Sequence, residues 1–156
     1  MSEHEEQLTP TLAEAQRMRV DIHSALIEVE EATSSPAIGR EEEWARDVIE
    51  RLTKLRETIE EHIEVTERPE GLYDEILQKA PRLSDKIEHL KREHPVMRDG
   101  ISEILGKLRT NPVGTTWSLQ EARDELRQML GRVVRHRELG ADLVWEAYNL
   151  DIGGVE

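Results

Sequence analysis

The sequence contains no cysteine and no phenylalanine, and aromatic residues make up only 3% of its 156 positions. A chain without cysteine has no disulfide, no thiolate metal ligand and no covalent c-type haem. The scarcity of aromatic residues, together with 35% charged residues, favours helices over β-sheets. A chain of this length suits a single domain with its own hydrophobic core.

Basic residues are also few in comparison with acidic ones. The 21 Lys and Arg residues are outnumbered by 34 Asp and Glu residues, which gives a formal net charge of -13 at pH 7. A chain this acidic is not expected to bind nucleic acid or an anionic membrane through its overall field. The sequence also lacks an apolar run of membrane-spanning length and the basic and apolar regions of a signal peptide. We therefore expect a cytoplasmic protein with no membrane partner.

Apolar and small residues recur at alternating steps of three and four in four long segments, a pattern typical of helices that bury one face. The last segment shows the pattern most clearly, with inward positions Leu119, Ala122, Leu126, Met129, Val133, His136, Gly140, Leu143 and Ala147. Ser118 and Glu121 have capping-box spacing at its start, and Thr11 and Glu14 have the same spacing at the start of the first helix.

One proline sets a helix boundary, and another falls inside a helix. The second helix should run from Glu41 until Pro69 stops it, and a short extra helix is expected at residues 73–79. Pro95 falls inside the third long helix, where we expect a kink. The predicted fold is all-α, an antiparallel up-down-up-down four-helix bundle with a short extra helix between helices two and three. The bundle should occupy residues 11–150, between loose tails at 1–10 and 151–156.

Each long helix carries one histidine on or beside its apolar stripe, namely His23, His62, His94 and His136. Because an α-helix rises about 1.5 Å per residue, the four imidazoles can reach one level of the bundle. One interpretation is four separate core histidines, each bonded to a backbone carbonyl or a polar neighbour. Burying several polar rings is costly unless they share partners, which favours a metal ion or a common hydrogen-bond network.

The chain resembles the hemerythrin-like family, also called HHE cation-binding domains, at His23 in the first helix and in the stretches Glu61–Glu67, Arg92–His94 and Arg135–Asp142. The resemblance covers roughly residues 11–148. It implies a di-iron centre inside a four-helix bundle, used for oxygen binding, sensing or iron handling. It also implies that the four stripe histidines are iron ligands.

The chain departs from the pattern of that family at three positions. Thr66 and Gly140 stand where the family places carboxylates, about one turn after the histidines of the second and last helices. Glu67 lies one step further and off the stripe. Leu90 stands where the third helix typically supplies another histidine. The space beside Thr66 and Gly140 could hold water or a small ligand.

The sequence therefore predicts a hemerythrin-like metal-binding protein with a reduced, histidine-rich, mononuclear site. Its ligands would be His23, His62, His94 and His136, which suit iron or another first-row transition metal; haem is not expected. Because no nucleophile or catalytic carboxylate pair stands out, we expect ligand or oxygen binding, sensing or metal handling rather than catalysis. The alternative is a metal-free bundle that acts as a structural or protein-interaction module. Metal binding should weaken below about pH 6, where protons compete for imidazole.

Overall fold

A computed structural model of the protein describes residues 9–150, and this range is almost entirely helical. In chain order the helices are α1 (Pro10–Ser34), α2 (Glu41–Glu67), α3 (Leu72–Lys79), α4 (Ser84–Thr110) and α5 (Leu119–Trp145). A 3-10 turn at Pro81–Leu83 precedes α4, and a π-helical turn at Glu146–Leu150 follows α5. No strand occurs in residues 9–150, where the only β-type pairing is an isolated bridge. The all-α prediction is therefore confirmed, including the short extra helix.

The first helix begins earlier than the sequence pattern predicts. Thr9, and not Thr11, is its N-cap: the Thr9 hydroxyl accepts a hydrogen bond from the backbone N–H of Leu12 at 3.0 Å. Pro10 occupies the first helical position, where its missing N–H costs nothing. The predicted tails at 1–8 and 151–156 lie outside the described residues, whereas positions 9 and 10 belong to the start of α1.

The other helix boundaries follow the predicted signals closely. Ser118 and Glu121 form the expected capping box. The Ser118 hydroxyl accepts a hydrogen bond from the backbone N–H of Glu121 at 3.0 Å, and the Glu121 carboxylate accepts one from the backbone N–H of Ser118 at 3.3 Å. Helix α4 continues unbroken through Pro95, and the expected kink there stays a prediction. None of the helices between residues 9 and 150 combines the length and apolarity needed to cross a membrane.

The four long helices pack side by side, α1 on α2, α2 on α4, α4 on α5 and α5 back on α1. Their interior holds two apolar cores. The larger core includes Val29, Val48, Leu52, Ile59, Ile101, Leu126 and Val133. The smaller core, which also receives α3, includes Leu12, Met18, Val65, Ile76, Ile87, Leu90 and Leu143. Every long helix therefore passes from one core to the other once, and that crossing point positions the candidate site.

Candidate metal centre

A layer of polar side chains separates the two cores. On α2 the change from one core to the other falls between Ile59 and Val65, and His62 lies in this gap. The corresponding gaps contain His94 on α4 and His136 on α5. On α1 the gap between Met18 and Ile22 contains Arg19. We call Arg19, His62, His94 and His136 the polar layer.

The three histidines of the polar layer form one cluster. One ring nitrogen from each of His62, His94 and His136 lies within 4.8 Å of the other two. The ring centroids are 4.9 to 5.3 Å apart, and all three pairs meet edge to face. The Nε2 atoms of His62 and His136 approach to 3.3 Å. His94 and His136 are buried and His62 is partly buried, so three imidazoles converge inside the bundle.

Two glutamates engage the outer nitrogen of two of these rings. Nδ1 of His136 lies 2.6 Å from Oε1 of Glu93, and Nδ1 of His94 contacts Oε2 of Glu67. A carboxylate accepts hydrogen bonds, so these contacts assign the proton of each neutral ring to Nδ1. The Nε2 atoms of His94 and His136 therefore keep a lone pair. A carboxylate behind an imidazole is also the usual outer partner of a metal-binding histidine, because it fixes the ring and raises its basicity.

Tyr73 and Thr66 complete the immediate surroundings of the cluster. The Tyr73 hydroxyl lies 3.4 Å from Nε2 of His94, and the two rings stack with their centroids 6.0 Å apart. Burial raises the pKa of Tyr73, so its hydroxyl stays protonated and can donate to that nitrogen. Thr66 directs its hydroxyl to the backbone carbonyl of His62 at 2.8 Å. Thr66 therefore supports the helix at His62 and supplies none of the charge that a carboxylate would bring.

Burial holds the three imidazoles in their neutral form. Burial, together with the neighbouring His94 and His136, lowers the pKa of His62 to about 3. Burial and then His136 lower the pKa of His94 to about 3 as well. Burial also lowers the pKa of His136, although the bond to Glu93 opposes this effect. His62 and His94 are therefore expected to stay neutral well below pH 6 in the folded protein, which argues against strong proton competition near pH 6 at these two rings.

The donor set fits a metal ion. Neutral imidazole is a common ligand of zinc, copper, iron and nickel, and three protein ligands leave room for a further ligand from solvent. His62, His94 and His136 would hold the ion, and Glu67 and Glu93 would orient two of them from behind. The bound ion would supply a positive charge and an open coordination position in a buried site.

The structure does not bring His23, the fourth predicted ligand, into this cluster. His23 is exposed on α1, beside a shallow surface groove that also contains Ile27 and Val134. The reason is the register of α1. Its stripe through Leu12, Ala15 and Ile22 is the one turned inward, so that the second stripe containing His23 faces outward. Arg19 occupies the level in α1 at which His23 was expected.

Sequence reasoning missed the two glutamates and the tyrosine. Glu67 lies off the apolar stripe of α2, and Glu93 precedes a stripe histidine, so neither position reads as buried. Both side chains reach a ring nitrogen on another helix, since a glutamate on the rim of one helix can span to its neighbour. The only indication in the sequence was that Glu67 and Glu93 both lie within the stretches that carry the family resemblance. No sequence pattern connected Tyr73 to the histidines.

The positions that depart from the family pattern do face the cluster. Thr66 and Gly140 both line a cavity of about 30 Å³ beside His62 and His136. A Cβ atom placed on Gly140 would find no heavy atom within 4 Å. The space predicted beside Thr66 and Gly140 is therefore present. Leu90 is buried in the smaller core and brings no polar atom to the site.

Comparison of the chain with family models, with curated proteins and with solved structures gives no match. The hemerythrin-like resemblance therefore stays a prediction from the residues quoted above.

Proposed function

We propose that the protein binds a single transition-metal ion at His62, His94 and His136 and uses the site to bind a small ligand, to sense it or to handle the metal. In this proposal the protein is a hemerythrin-like bundle with a reduced ligand set, and the ion is iron or another first-row metal. A role in the cytoplasm without a nucleic-acid partner stays part of the same prediction.

One observation carries this proposal. The cluster presents convergent ring nitrogens, and the opposite nitrogens of two rings are already engaged by carboxylates. Buried histidines that serve only as core residues need one partner each. Here His94 and His136 have such a partner at Nδ1. Nε2 of His136 also approaches Nε2 of His62, and Nε2 of His94 lies 3.4 Å from the Tyr73 hydroxyl. This arrangement is the one in which an imidazole is ready to bind a metal.

The up-down-up-down arrangement belongs to the same proposal. Arg137 on α5 donates to the carbonyl of Arg19 at 3.1 Å, whereas Arg123, earlier on α5, donates to the carbonyl of Thr33 at the end of α1. The later part of one helix thus meets the earlier part of the other, which supports an antiparallel pair. An antiparallel bundle of this kind builds its metal sites from side chains on facing helices.

The charges around the cluster support one ion and not two. Three neutral imidazoles bring no negative charge between two cations, and two adjacent divalent ions in a buried site repel each other strongly. Glu67 and Glu93 lie behind the rings, and the positions suited to bridging carboxylates are Thr66 and Gly140. Haem is not part of this proposal, and the cavity beside the rings has a volume of about 30 Å³.

A second function, a metal-free structural bundle, is favoured by one contact. At 3.3 Å, Nε2 of His62 can donate its proton to Nε2 of His136, which satisfies both rings without an ion. In that case the polar layer would set the register of the helices and have no ligand. The two functions differ in whether the cluster takes up a metal.

Metal titration of the untagged full chain separates them. Zinc, cobalt and anaerobic ferrous iron are titrated into the metal-free protein by calorimetry, and the bound metal is counted by elemental analysis. We expect one ion per chain, and no bound ion in the double variant His62→Gln, His136→Gln with unchanged helix content by circular dichroism. His23→Gln is the matched control and should bind like the parent. No uptake of any of the three metals would leave the structural bundle as the function, and two ions per chain would contradict the charge argument.

A further inference from the structure

The cavity beside the cluster is lined by positive and neutral side chains. Arg19 and Arg137 line it together with His62, His136 and Tyr73. No aspartate or glutamate of the described residues takes part in this lining. The chain as a whole has 34 acidic residues, so a cavity lined by two arginines and no acidic residue stands out from the acidic character of the protein. Apart from two uncharged polar residues, Gln16 and Thr66, the rest of the wall is apolar, which strengthens any charge interaction inside it.

Arg19 is the residue in this wall whose hydrogen bonding is incomplete. Within residues 9–150 its Nε atom is buried and has no hydrogen-bond partner. Leaving a buried donor unpaired is costly, and more so when the donor is charged. The Nε of Arg137 donates to the carbonyl of Arg19, which holds a second guanidinium on the same side of the cavity. Burial, and then the charge of Arg137, lower the pKa of Arg19, as expected for two uncompensated cations.

We propose that this cavity binds a small monovalent oxyanion of the size of formate, with Arg19 Nε–H as its principal hydrogen-bond donor. The anion would satisfy the unpaired donor and offset the charge of both arginines. Charge-assisted bonds from a guanidinium to an oxyanion are among the strongest polar contacts in proteins.

The size of the cavity sets the size of the ligand. One water molecule needs about 10–15 Å³ of such space. The 30 Å³ found here therefore suits a ligand a little larger than water, such as formate, bicarbonate or nitrite, and excludes benzoate. The inference goes beyond the proposed metal site, because Arg19 and the cavity exist without an ion. A bound metal would lie next to the anion and add a positive charge to the same space.

The test follows the resonances of the isotope-labelled full chain during a formate titration at constant ionic strength, with and without zinc. Arg19 Nε–H is identified by its loss in Arg19→Lys. We expect this resonance and the backbone amides of Thr66 and Gly140 to shift and saturate with formate. Benzoate should leave them in place. Arg19→Met should weaken formate binding at least about tenfold, which corresponds to about 1.4 kcal/mol. Arg17→Met, on the exposed side of α1, is the matched control and should bind formate like the parent.

The possible results decide the two proposals separately. Saturable, Arg19-dependent shifts would support the anion site whether or not zinc is bound. Absence of any saturable shift, or equal affinity in Arg19→Met and the parent, would overturn it and leave water as the partner of Arg19. Zinc uptake is measured independently on the same samples, so that a failed metal site leaves the formate result intact. Arg19→Lys, which keeps the charge, provides a second variant if Arg19→Met does not fold.

Discussion

Acidification should destabilise the metal-free protein through its buried histidines. The pKa of His94 is about 3 in the folded protein and 6.5 in an unfolded chain. Below pH 6.5 the unfolded chain therefore takes up a proton at this residue that the folded protein does not. Since the unfolded state binds more protons, stability falls as the pH falls, from about 6.5 down to about 3. The pKa of His62 is lowered in the same direction, and its contribution has the same sign.

The expected size of the effect is substantial. One histidine that titrates only in the unfolded state changes the free energy of unfolding by about 1.4 kcal/mol per pH unit. Between about pH 6.5 and 4.5, His94 alone should therefore remove roughly 2 kcal/mol, because the slope reaches its full value only about one pH unit below 6.5. A domain is usually stable by only about 5–15 kcal/mol, so this loss is a large fraction of the total.

Urea unfolding followed by circular dichroism at a series of pH values measures this slope. The variant His94→Gln should unfold with a clearly shallower dependence on pH than the parent, whatever its absolute stability. His23→Gln is the control, because His23 is exposed and lies outside the cluster. Equal slopes for the parent and His94→Gln would show that His94 is not held neutral in the folded protein. For the same reason, metal affinity should stay nearly constant through pH 6 and fall only as the protein begins to unfold.

Three further predictions concern the same bundle. Replacing Glu67 and Glu93 together by Ala should weaken zinc binding by about 10–100-fold, because these carboxylates orient two ligands. Calorimetry should still show one bound ion per chain, and unchanged affinity would contradict the orienting role. The double variant Thr66→Glu, Gly140→Asp places carboxylates beside the cluster. Elemental analysis should then count two iron ions per chain where the parent binds one. A count of one would mean that the family pattern is misaligned. Leu126→Ala, at a fully buried position of the larger core, should cost about 2–5 kcal/mol in urea unfolding, and a cost near zero would mean that this stripe does not face the core.

The sequence by itself determined the helices. Apolar steps of three and four, a capping box at Ser118 and a stop at Pro69 are local signals, and each acts within a few residues of the backbone it controls. For the same reason the sequence placed three of the histidines correctly on inward faces. His62, His94 and His136 each lie on the single strong stripe of their helix, so any packing that buries the stripe also buries the ring.

Only the tertiary structure decided which residues complete the polar layer. Helix α1 carries two neighbouring stripes, and packing against α2 and α5 selects the one that turns His23 outward and puts Arg19 at the level of the cluster. Glu67 and Glu93 lie off the stripes of their own helices and reach rings on adjacent helices. Such contacts depend on the separation and relative height of two helices, quantities that the periodicity of one helix does not contain.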